Sequence, residues 1–196
     1  TEAQRPIAIQ GMIDWANTRQ AAITKARKDV GCEGVLVAHA FEFNYVLITN
    51  MPEPFVINCV VPYTHCDLYS YSSYSSGRAE SNLDEIYDRI AHIRTRTPAS
   101  KLYGQHNLMI GEFGFDERRL PGHGYVVTVG PESDAFQKMM VQGQLERLLD
   151  LNLTYIFYWQ LYCNGALDDY GHSLSTRPDP EHMLDNSHCK GFWLIR

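Results

Sequence analysis

What most constrains this chain is an alternation. Stretches with apolar residues at helical spacing take turns with short apolar runs, in the order helix, strand, helix, strand, helix, strand, helix, strand. From Gly11 to Val30 the residues Met12, Ala16, Ile23, Ala26 and Val30 recur at spacings of three, four or seven, and Gly31 stops the helix. Val35 to Ala38 is a continuous apolar run suited to a strand covered on both faces. A connection through Pro52, Pro54 and Phe55 to Val61 leads to a second strand, Asp67 to Ser72. Asn82 with Glu85 reads as a capping box, and Leu83, Ile86, Ile90 and Ile93 carry a helix to Pro98. Leu108 to Gly111 is the third strand. A Gly- and Pro-rich loop runs from Phe115 to Pro131, longer than the usual connection of about 4–6 residues. Phe136, Met139, Met140 and Leu148 mark another helix, Tyr155 to Trp159 the fourth strand, and a polar stretch from Asn164 to Lys190 precedes the closing Gly191 to Ile195.

Such alternation predicts one α/β domain over residues 1–196, with parallel strands joined by right-handed crossovers. An open nucleotide-binding sheet calls for a glycine-rich turn after its first strand, and neither GxGxxG nor a P-loop is present. A (β/α)8 barrel instead gathers chemistry at the carboxyl ends of several strands. Polar groups cluster there: His39, Glu42 and Asn44 after the first strand, Glu112 after the third, Gln160 and Asn164 after the fourth.

Glu112 is the sharpest of these, because it interrupts an apolar strand end in Ile110-Gly111-Glu112-Phe113-Gly114, where a carboxylate is costly unless paired or used. Read alone, its lesser alternative is a structural acid bound to Arg118 or Arg119. Glu42 reads either as a site acid or as a carboxylate at a helix start. Tyr158-Trp159-Gln160-Leu161-Tyr162-Cys163-Asn164 joins a rigid aromatic face to two amides, a pairing that suits sugar rings and their hydroxyls. Tyr69, Tyr71 and Tyr74 offer phenols, and strand alternation lets only one face of that segment look into a site.

Composition removes other classes. With 17 Lys plus Arg against 23 Asp plus Glu, a net charge of -6 and no basic cluster, the chain has no footprint for nucleic acid or an anionic membrane. No apolar run approaches the roughly 20 residues that span a bilayer. Five scattered cysteines without a CxxC argue against a disulfide framework or a zinc ribbon, and leave the compartment open. His65-Cys66 and His188-Cys189 lack ligand spacing, so no metal and no cofactor is expected. The sequon Asn152-Leu153-Thr154 abuts a strand and carries little weight.

Taken together, these strand ends resemble the retaining glycoside hydrolases built on a (β/α)8 barrel, the cellulase-like and β-mannanase-like clan. That resemblance makes Glu112 the nucleophile ending strand seven, Trp159 the indole floor at strand eight, and Tyr71 or Tyr74 the strand-six tyrosine. It implies a carbohydrate substrate bonded by His39, Asn44, Gln160 and Asn164, with Glu42 a substrate-binding acid or a substitute proton donor. The clan's acid/base glutamate on strand four, usually after an asparagine, has no counterpart here. A barrel takes about 250 residues, so the chain is expected to hold strands five to eight, with strands one to four upstream of Thr1. Two alternatives stand beside this reading. One is an inactive carbohydrate-binding barrel, the other a metal-dependent barrel enzyme using Asp67, Glu42 and His39.

Overall fold

A computed structural model describes residues 4–31, 38–46, 55–74, 82–115 and 131–159. In chain order these form α1 (Arg5–Asp29), β1 (Ala40–Phe43), α2 (Val56–Cys59) with a 3-10 turn (Val61–Tyr63), β2 (Leu68–Ser72), α3 (Glu85–Arg96), β3 (Leu108–Phe113), α4 (Pro131–Asp150) and β4 (Ile156–Tyr158). The four strands pair in sequence order, and every pairing is parallel. Strand order therefore advances without the reversal of a doubly wound sheet. The fold is α/β, a small parallel sheet with helices supplied by its crossovers. No helix among the described residues is long and apolar enough to cross a membrane.

One face of the sheet supplies the core. Phe41 and Phe43, Tyr69 and Tyr71, Leu108 and Ile110 stand in register across β1, β2 and β3. All are buried, together with Ala16 of α1, Ile86, Ile90 and Ile93 of α3, and Met140 and Leu148 of α4. Each fully buried isoleucine contributes about 1.5–3 kcal/mol relative to exposure. The predicted period of α3 is thus realised. Its start differs from the expected box: the Asp84 N–H donates to Asn82 Oδ1, while Glu85 pairs forward with Arg89 at 3.0 Å.

The first strand lies later than the apolar run suggested. Residues 35–37 fall outside the described residues, Ala38 is irregular, and the segment paired with β2 is Ala40–Phe43. Its burial alternates, with Phe41 and Phe43 inside and Ala40 and Glu42 exposed. That is the signature of a strand covered on one face, which a search for continuous apolar runs passes over.

Helix α1 meets the sheet along Ile9, Ile13, Ala16, Gln20, Ile23 and Arg27 rather than along the apolar residues alone. Met12 and Val30, assigned to that face from the sequence, are 39% and 70% exposed. Two polar members hold the stripe in place. The Asp67 N–H donates to Gln20 Oε1 at 2.8 Å, and Arg27 donates to both Asp67 oxygens at 2.8 and 3.3 Å. A fourth bond, from the His39 N–H to Asp67 Oδ2 at 3.1 Å, ties in the start of β1. One buried carboxylate thus joins α1, β1 and β2. Gly31, at φ +65°, then ends the helical segment as expected.

Burial pushes the Asp67 carboxyl up, but hydrogen bonds with Arg27, Gln20 and the His39 N–H outweigh it and hold it below its ordinary value. A folded-state value below the unfolded one, about 3.9, means stability present above that pH and lost as pH falls through the folded value. We expect Asp67→Asn to flatten that acid limb in urea titrations at successive pH values. Arg27→Met, which leaves the acid buried and unpaired, should cost about 3–5 kcal/mol at pH 7, and Arg27→Met with Asp67→Asn should recover part of it.

Candidate active site

The face of the sheet turned away from the helices carries Ala40 and Glu42 of β1, Ser70 and Ser72 of β2, and Met109 and Gly111 of β3. Regular alternation would send Glu112, next after Gly111, back toward the helices. The register prevents this. Tyr71 pairs with Ile110, yet Ser72 pairs with Glu112, so the ladder slips by one residue at Gly111. The same slip recurs against β4, where Ile110 pairs with Ile156 and Phe113 with Tyr158. A bulge of this kind re-aims the residue that follows it. It places Glu112 on the face of Ser72 and Glu42 while Phe113 stays in the core.

Glycine is required at the bulge for space. A Cβ on Gly111 would lie 1.9 Å from Ser70 Oγ and 3.3 Å from Ser70 Cβ. Ser70 is itself buried, so its hydroxyl has little room to yield.

Each carboxylate then receives one hydroxyl. Tyr74, just past β2, donates to Glu112 Oε2 at 2.9 Å, and Ser72 donates to Glu42 Oε1. Burial, then the hydrogen bond and charge of Glu112, then the charge of Glu42, push the Tyr74 phenol far above its ordinary value. Tyr74 therefore remains a donor throughout the physiological range. Ser72 links the two acids, bonding Glu42 through its hydroxyl and pairing with Glu112 in the ladder, so that Glu42, Ser72, Tyr74 and Glu112 form one cluster. Tyr158 also acts on the phenol, and its ring meets Phe113 edge-on at 5.3 Å.

Trp159 follows β4 directly, its N–H donating to Phe113 O at 2.7 Å. With Tyr158 paired to the core residue Phe113, alternation turns the half-exposed indole toward the Glu112 face. Asn44, exposed, follows β1 at the same end. Gln160, Asn164, Arg118, Arg119 and His188-Cys189 lie outside the described residues.

Two candidates stand elsewhere. Tyr71 faces the helices, fully buried, stacked on Phe43 at 5.8 Å and hydrogen-bonded with Arg89 of α3. It is a core residue, because β2 alternation gives one face to Tyr69 and Tyr71 and the other to the serines. His39 was expected beyond a strand, and instead it precedes β1, at the amino end of the sheet beside Asp67. It is 5% exposed, and neither ring nitrogen has a hydrogen-bond partner among the described residues. Burial and then the charge of Arg19 lower its pKa, against the charge of Asp67, which raises it.

The metal alternative loses its geometry too. Asp67 is committed to Arg27 at the end opposite Glu42, and no three His, Cys, Asp or Glu side chains converge among the described residues. In the His65-Cys66 doublet, burial pushes the Cys66 thiol up to about 11, and the exposed His65 donates its N–H to Asn17 Oδ1.

Ser72 and Gly111 are the residues that sequence reading did not single out. Their signal was positional: Ser72 shares a face with Glu42 only once β1 and β2 are aligned. No known protein family is matched by the chain, and no curated protein matches it.

Gly111→Ala should destabilise the protein by about 1–3 kcal/mol through overpacking against Ser70. Chemical denaturation of Gly111→Ala with and without Ser70→Ala should give a smaller cost in the second background, where only the longer contact remains.

Proposed function

We propose that the chain carries the nucleophile half of a glycoside hydrolase, cleaving O-glycosidic bonds with retention through Glu112. The observation that carries this reading is the re-aimed Glu112 carboxylate, held by the Tyr74 hydroxyl on the face and at the end where a second acid, Glu42, also stands. Four parallel strands advancing in order support the finer architecture, strands five to eight of a (β/α)8 barrel.

In the first step a Glu112 oxygen attacks the anomeric carbon as the bond to the leaving oxygen breaks, through an oxocarbenium-like transition state. Water then cleaves the glycosyl ester, returning the carboxylate. Tyr74 suits this cycle because it donates to the oxygen not attacking. It orients the nucleophile without taking its proton, since the phenol stays protonated as the carboxylate charge is spent and restored. Trp159 offers a flat apolar face to the sugar ring, and Asn44, Gln160 and Asn164 are the proposed hydroxyl partners. The proton for natural leaving groups comes from an acid on the remaining strands of the barrel, or from Glu42.

Nitrophenyl glycosides test Glu112 separately from any proton donor, because that leaving group departs without protonation. Glu112→Gln should lower kcat by roughly 10³-fold or more, and Tyr74→Phe by about 10-fold, with the fold retained by circular dichroism. A fluorosugar that traps the ester should add its mass to the peptide containing Glu112. Turnover unaffected by Glu112→Gln would overturn the assignment, and sugar binding without turnover would favour an inactive carbohydrate-binding barrel.

A further inference from the structure

The sequon given little weight in the sequence, because a strand follows it, stands clear of that strand in the structure. Asn152, Leu153 and Thr154 lie between the end of α4 at Asp150 and the start of β4 at Ile156. Asn152 is the one asparagine of the chain with serine or threonine two places on. It occupies the turn that ends α4, at φ +49°, in the left-handed region that asparagine tolerates better than most residues. Leu151 and Leu153 on either side are half-buried and pack against the core, and the asparagine between them is exposed.

An N-linked glycan fits such a place, because the group is bulky and hydrophilic and belongs at the surface. The turn also lies at the amino end of β4, whereas Glu112 and Trp159 stand at the carboxyl ends of β3 and β4. A large group on Asn152 is therefore attached at the end of the sheet opposite the candidate active site.

Thr154 adds a constraint on timing. In the fold its hydroxyl donates to His106 O, and its N–H donates to Leu108 O at 3.0 Å. Both bonds tie the sequon to the segment that leads into β3. The hydroxyl that completes the sequon is thus committed once β3 and β4 have come together, and the backbone around it is fixed. A transferase that reads this hydroxyl on an extended segment meets it only before the fold closes.

We propose that Asn152 is an N-glycosylation site, filled while the chain is still unfolded. The donor is an oligosaccharide carried on a polyprenyl diphosphate. Asn152 Nδ2 forms a bond to the anomeric carbon of the first sugar as the bond from that carbon to the diphosphate oxygen breaks. Nδ2 gives up one proton, the polyprenyl diphosphate leaves, and nothing is oxidised or reduced. The inference does not depend on the reading of Glu112 as a nucleophile. It places the growing chain in a compartment that holds the transferase, a question its cysteines leave open.

The full 196-residue chain, translated behind a cleavable secretion signal with microsomal membranes, should gain a single glycan that a peptide N-glycosidase removes. Asn152→Asp, whose side chain suits the same left-handed turn, and Thr154→Val should gain none, and Thr154→Ser should keep it at lower occupancy. For the order of events, the purified chain is offered to detergent-solubilised transferase with the lipid-linked oligosaccharide. The folded wild type should stay unmodified. Ile110→Asp, which puts an unpaired charge in the core and keeps the chain from folding, should be modified at Asn152. A nascent chain without a glycan, or a glycan retained in Asn152→Asp, would overturn the site. Modification of the folded chain as fast as of Ile110→Asp would overturn the timing.

Discussion

The candidate site depends on a slip of one residue in the ladder between β2 and β3. Without it, Glu112 would point into a layer of isoleucines and aromatics, where an unpaired carboxylate costs several kcal/mol. With it, the acid crosses to the open face and Phe113 keeps its place in the core. Space decides where the slip can occur. A side chain at this position would collide with the Ser70 hydroxyl, and the chain has Gly111 there.

A second anchor works at the other end of the strands. Asp67 gathers Arg27 from α1 and the backbone N–H of His39, and its own N–H is received by Gln20. The two ends differ: the amino end carries this buried ion pair, and the carboxyl end carries the hydrogen-bonded acids Glu42 and Glu112. His39 belongs with the amino end, its ring buried and without a hydrogen-bond partner among the described residues.

Much of the fold was readable because period and burial agree. Ile86, Ile90 and Ile93 repeat every three or four residues and all are fully buried, and Tyr155 to Trp159 contains β4. The first strand was misplaced because Phe41 and Phe43 alternate with Ala40 and Glu42, while the eye goes to the denser run before them. That displacement moved His39 from one end of the sheet to the other. The face of α1 was only half legible, since Gln20 and Arg27 sit on the buried stripe for a reason that exists only in three dimensions, their shared partner Asp67. Glu112 could be singled out from its position between glycines. Its orientation could not, because alternation counted along the chain has the wrong parity past a bulge. Tyr74 and Tyr71 stood as equals in the sequence, and β2 alternation separates them.

The exposed Glu42 has a consequence unrelated to sugars. β1 borders only β2 among the described strands, so the amide and carbonyl groups of its outer side are a template on which another extended chain could add. A negative charge midway along a four-residue edge opposes such addition, because a second copy would have to bury that charge or set it against its own. Trading that carboxylate for a neutral residue would leave this edge, among the described strands, without the charge that opposes such addition.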